Sequence, residues 1–164
     1  MTRSSAAIIA VAAAMALASC SSADPKGEAD KKFVGTATSV CQKALDASPT
    51  APFPWDPWNP HDPNVEQLPA VGIYLDQIPI NHHELALMQA LGQPKRGRDT
   101  WAAFVALIAQ QQDVVTRQIA AAKASDKAGY IRTVNDIAVL QPKIDTAAAA
   151  VGFAKGTACL QAFG

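Results

Sequence analysis

Trp101, Phe104, Ile108, Val115, Ile119 and Ala122 recur at steps of three, four and seven residues. That is the period of a helix with one buried face. A stripe of this length fixes the fold class, because strict alternation of apolar and polar residues is nowhere sustained in the chain. β-Branched residues are scattered, and alanine-rich stretches of helical period dominate. The chain therefore reads as all-α.

Four helices follow from the same pattern. The first is expected over about Lys32–Ala47, where Phe33, Ala37, Val40, Cys41, Ala44 and Leu45 share a face and Ser48-Pro49 stops the run. The second covers about Val65–Leu91, capped by Asn64, with Pro69 tolerated in its first turn and Gly92 and Pro94 at its end. Its stripe is Leu68, Val71, Leu75, Ile78, His82, Leu85 and Met88. Pro79 removes a backbone bond in mid-run and should kink it or split it in two. The third covers about Thr100–Lys123 with Asp99 as N-cap, and Gln110–Asp113 interrupts its apolar character at the centre. The fourth covers about Asp126–Val151, with Ser125 as cap, Pro142 as a kink and Gly152 as its end. Short links make helices two, three and four antiparallel neighbours. The expected architecture is an up-down helical bundle of about four helices with one long Pro-rich crossover.

The N-terminus reads as an export signal. A basic start at Arg3 precedes an apolar run from Ala6 to Ala18. That run is shorter than the roughly 20 residues needed to span a bilayer. It ends in Leu17-Ala18-Ser19-Cys20, which resembles the bacterial lipobox, whose cysteine is acylated and becomes the first mature residue. The chain then divides into a signal peptide (residues 1–19), a lipid-anchored tether (20–31) and a helical domain (32–164). Acyl chains bind a membrane through about 0.8 kcal/mol per buried CH2, so two or three of them hold stably. The expected location is the extracytoplasmic face of the cell membrane.

Loss of the signal removes Arg3 and leaves 13 basic against 14 acidic side chains, a net charge of −1. There is no basic stripe to attract nucleic acid and no polybasic cluster to add membrane attraction. With Cys20 acylated, Cys41 and Cys159 remain. In an oxidising compartment, two cysteines near opposite ends of a domain read as one disulfide stapling the bundle. Closing so long a loop contributes on the order of 4–5 kcal/mol in the chain-entropy model.

The segment Ala51–Asn64, APFPWDPWNPHDPN, admits neither helix nor central strand. Its prolines make it stiff and cheap in entropy to order. Phe53, Trp55 and Trp58 either plug the groove between the first two helices or leave a tryptophan exposed, with His61, on the rim of a groove for a partner or ligand. The plug is the favoured reading, because a small alanine-rich core needs the area of such rings.

The lipobox, the cysteine in the first helix, PFPWDPWNPHDPNVEQLPAVGIYLDQI, WAAFVALI and the terminal GF…C together resemble small exported lipoproteins of actinobacteria, including mycobacteria. That resemblance spans the mature chain and implies localisation and fold. It carries over no catalytic residue.

No catalytic set appears. G-x-S-x-G is absent, acids such as Asp136 and Asp145 are scattered, and no glycine-rich phosphate loop occurs. Lys95–Arg98 reads as a solvated basic turn. His82 and His83 are adjacent, about 100° apart on a helix, and cannot chelate one metal together. The leading expectation is a non-catalytic envelope protein without a cofactor, binding a protein partner or small envelope component. The alternative is a metal- or haem-binding protein using His61, His82, His83 and Met88.

Overall fold

The structure, a computed structural model, describes residues 29–47 and 58–154. Cys20, Phe53, Trp55 and Cys159 lie outside them. The described residues form five α-helices: α1 Lys31–Asp46, α2 Leu68–Asp76, α3 Ile80–Ala90, α4 Arg98–Lys123 and α5 Lys127–Val151. α2 and α3 are two halves of the expected second helix, so the bundle has four arms.

The ends of the helices correct several sequence expectations. Asp30 caps α1, its carboxylate accepting the Phe33 N–H at 2.9 Å. Ala29 is buried and donates its N–H to the Val151 carbonyl at 3.2 Å. The fold thus takes in two residues whose composition suggested tether. Asn64 caps a turn and not a helix: its side chain accepts the Glu66 N–H, its carbonyl accepts the Gln67 N–H, and α2 begins at Leu68. Asp99 lies inside the first turn of α4, where the helix dipole favours an acid; the N-cap is Gly97, at φ +69°. Asp126, not Ser125, caps α5 by accepting the Gly129 N–H at 2.9 Å. Ser125 takes the left-handed conformation, φ +55°, that turns the chain between α4 and α5.

The two internal prolines act differently. At Pro79 the helix breaks, and the Asn81 side chain donates to the Leu75 carbonyl at 2.7 Å across the joint. That carbonyl is the one Pro79 cannot serve, because proline has no N–H. α5 instead continues through Pro142 over its 25 residues.

Neighbouring arms alternate in direction. Gly92 at the end of α3 meets Trp101 near the start of α4 through a 2.9 Å bond from the indole N–H to the Gly92 carbonyl. α2 packs its Leu68 and Val71 on Ala122 near the end of α4. α5 folds back along α4 from a tight turn and brings Phe153 to Phe104, ring centroids 5.4 Å apart. α1 starts at the same end, where Phe33 meets Trp101 edge to face at 4.8 Å and Asp30 faces the Lys95 N–H. Trp58 enters at the opposite end, 6.1 Å edge to face from Tyr130.

The core has two apolar parts. The larger joins Ala37 and Cys41 of α1, Met88 of α3, Trp101, Phe104 and Ile108 of α4, and Ile144, Ala148 and Val151 of α5. The smaller joins Leu68, Val71, Ala122 and Tyr130, with Trp58 packed against it. α2 approaches α4 most closely at Gly72, where a Cβ would lie 2.7 Å from the Lys123 backbone nitrogen. Backbone cannot yield as a flexible side chain can, so this contact requires glycine. Gly72→Ala is expected to cost about 1–3 kcal/mol and to lower the thermal midpoint accordingly; an unchanged midpoint in a melting curve would show that α2 can move outward freely.

Candidate functional site

The residues singled out in the sequence do not assemble into one site. Trp58 turns inward: it is half-buried against Tyr130, whose phenol is pushed up by burial and partly offset by a hydrogen bond with Trp58. Pro63 is fully buried, and Asp62 pairs with Lys127 at 2.6 Å, so the described end of the aromatic segment lies on the bundle. His61 is exposed, with its backbone N–H held by the Asn59 side chain. Trp58 is thus seated among α2, α4 and α5, not between the first two helices where the plug is expected, while His61 faces water. Trp55 lies outside the described residues.

The proposed metal ligands are also apart. Met88 is fully buried in the larger apolar cluster. His82 lies beside the α2–α3 joint, where its Nε2 is 3.1 Å from the Asp76 carboxylate and 3.0 Å from the Asp76 carbonyl. Lys123 takes the other Asp76 oxygen at 2.5 Å. That bond, with lesser help from the charges of Lys123 and His82, outweighs partial burial and holds the Asp76 carboxyl below the usual range. His83 is exposed, 6.3 Å from His82 between ring centroids. Among the described residues no three histidine, cysteine or acidic side chains converge as a metal cluster would require.

The bundle interior holds a different set, which the sequence stripe missed. Asn81 and Glu84 of α3 and Gln111 and Gln118 of α4 are buried. They lie in chain order between the residues of the larger cluster and those of the smaller one, a waist that on α4 also holds the buried Val114, Val115 and Ile119. Beside them, Gln112 clamps α3 to α4: its side-chain oxygen accepts the Leu85 N–H and its amide donates to the His82 carbonyl, both at 3.1 Å.

Two oxygens in this waist have no hydrogen-bond partner: Glu84 Oε1 and Gln111 Oε1. Both residues are 1% exposed. A buried carboxylate without partners is far costlier than a buried carboxylic acid. Burial accordingly pushes the Glu84 carboxyl up from its ordinary 4.5 to about 8. At neutral pH Glu84 is a neutral acid with a proton to donate.

A signal for these residues existed. Gln111 sits three residues after Ile108 and four before Val115, on the third helix's stripe. Asn81 and Glu84 lie one residue before the expected His82 and Leu85, and the observed and expected stripes meet at Met88. The offset arises because Pro79 restarts the helix, so the inward face of α3 does not continue that of α2.

The surface carries an open groove of about 530 Å3 between α3 and α4, walled by Leu85, Met88, Trp101 and Val105. A second, of about 590 Å3, runs between α4 and α5. Arg117 straddles it, bonded to Asp113 at 3.1 Å and Asp136 at 3.3 Å.

No family model, no curated protein and no solved structure matches the chain.

The raised Glu84 carboxyl makes stability depend on pH. The folded chain holds a proton that the unfolded chain releases above 4.5, so stability is full below that pH and falls as pH rises to about 8. Each pH unit in that window removes about 1.4 kcal/mol. Glu84→Gln, which keeps the shape without the charge, should raise the melting midpoint by roughly 5–15 °C at pH 8 and leave it unchanged at pH 4. Equal gains at both pH values would mean that the packing, and not the charge, had changed.

Proposed function

We propose that this chain is a lipid-anchored protein of the cell envelope, displayed on the extracytoplasmic face, which binds a protein partner or a small envelope component and performs no catalysis. The observation that carries this reading is the apolar run ending in Leu17-Ala18-Ser19-Cys20, with basic Arg3 before it. Charge, run length and small-residue spacing agree on acylation at Cys20. No helix among the described residues is long and apolar enough to cross a membrane. The likeness to small exported actinobacterial lipoproteins points the same way.

The α3–α4 groove is the part of the described surface best suited to binding. Apolar side chains from two helices wall it, and the indole of Trp101 is fixed in its floor by the bond to Gly92. Trp101 itself is 3% exposed, so the contact area comes from the half-buried Leu85 and Val105 around it.

The staple belongs to the same proposal. Cys41 is 1% exposed on the inward face of α1, where a bridge to Cys159 would tie the chain's C-terminal end to its first helix.

One native mass spectrum of the protein, taken gently from its own membranes, tests all of this. The expected species begins at Cys20, carries acyl chains and is lighter by two hydrogens for the bridge. A chain that still begins at Met1, or one without acyl groups, would refute the anchor. A reproducible additional mass would identify a small ligand, whereas a bare acylated mass points to a protein partner, to be sought by photocrosslinking from Val105 in intact cells.

A further inference from the structure

Glu84 and Gln111 present a physical problem that the binding reading does not use. Each is 1% exposed, and each has an oxygen without a partner. They stand on different helices, α3 and α4, which are packed together and clamped by Gln112. Two acceptors without partners inside a bundle carry a cost that is relieved when one becomes a donor, when water reaches them or when the helices part. Glutamine has no proton to spare on its oxygen. Glu84 has one whenever it is neutral.

Nothing around Glu84 offers another way to settle its charge. α3 packs on α1, α2 and α4. Every lysine, arginine and acid of α1 and α4 is exposed, as is Asp76 of α2. The other titratable side chains on these elements are Cys41 and Tyr74, and His83, beside Glu84 on α3, is exposed. His82, on α3 itself, is held by Asp76 at the joint. Burial is accordingly the one cause acting on the Glu84 carboxyl.

α3 is also the arm with a place to bend. It is 11 residues long and separated from α2 by Gln77–Pro79, where the helical ladder is broken and Asn81 bridges the gap. Its inner contacts with α4 are made by Leu85 and Met88 in the larger cluster, by the clamp of Gln112 and, just past its end, by the Trp101–Gly92 bond. A short arm on a joint, with one buried acid on its inward face, has a place about which to turn, and α1, which packs on α3, would move with it.

We propose that α3 is a proton-gated arm: it stays packed on α4 while Glu84 is a neutral acid, and loss of that proton to water lets α3 swing away about the Gln77–Pro79 joint. Opening hydrates both orphaned oxygens and bares the apolar floor between Met88 and Trp101. The direction is fixed by linkage. The open arm has an ordinary carboxyl, so opening gains with each pH unit above 4.5 until the packed arm itself ionises, near pH 8, and then levels off.

Amide hydrogen exchange read helix by helix from pH 5 to 9, corrected for intrinsic rates, tests the gate. In the wild-type protein the protection of α3 should fall about tenfold per pH unit up to about pH 8, then level off, and stay below that of the inward face of α5 throughout. In Glu84→Gln the α3 profile should be flat. A flat profile in the wild type, a slope that survives in the variant, or equal protection of α3 and α5 at every pH would each overturn the gate; the last would leave global unfolding as the sole route of opening. Infrared spectra of the wild type provide a check that needs no variant. A buried carboxylic acid band should persist above pH 6 and disappear near pH 8, and its absence at pH 6 would equally overturn the proposal.

Discussion

The inward stripe of α4 runs from Trp101 through Phe104, Ile108, Gln111, Val115 and Gln118 to Ala122, and the other arms are placed by what they find along it. α2 meets the Ala122 end, α3 the middle and the Trp101 end, and α5 lies against the whole length. Five of these seven residues are apolar and give the area that holds the arms. The two glutamines decide where along the helix each arm may sit, because a buried amide accepts far fewer neighbours than a methyl group. The bundle is thus held at its two ends by dispersion and burial, and in the middle by a few directional bonds.

This division explains the α2–α3 arm. A continuous helix over Val65–Leu91 would carry one face to α4 along its whole length. The break at Pro79 lets α2 present Leu68 and Val71 to the smaller cluster while α3 presents Asn81, Glu84 and Met88 to the waist and the larger one. The cost of the break is limited by Asn81, which bonds the Leu75 carbonyl, and by Asp76, which gathers Lys123 and His82 at the joint. Gly72 brings the α2 backbone close to Lys123, which sets the ion pair within reach. Joint, close approach and ion pair are parts of one local solution to a proline in mid-helix.

Much of this was legible in the sequence. Apolar period gave the arms, and Pro79 was recognised as a kink or split. The helix starts moved by one to three residues, and the caps moved with them. Asp126 prevailed over Ser125 because an acid can reach the Gly129 N–H, and Gly97 over Asp99 because only the glycine enters the helix easily from a positive φ. Ala29 and Asp30 looked like tether by composition, yet their contacts come from Val151 and the Lys95 loop, far away in sequence. Glu84 stayed hidden for a geometric reason: the restart after Pro79 rotates the inward face by one residue, and a stripe drawn straight through the proline passes beside it. Gln111 fills the seven-residue gap in the α4 stripe between Ile108 and Val115; its polarity suggests a weak point of the helix, yet it is part of the interior.

The bond between Ala29 and Val151 fixes where the chain leaves the bundle on its N-terminal side. Nine peptide units separate Ala29 from Cys20, and a fully stretched chain of that length reaches about 30 Å. If Cys20 carries the proposed acyl anchor, that length sets how far Ala29, and with it the pole that carries the α3–α4 loop, can stand from the membrane surface: about 30 Å and no more.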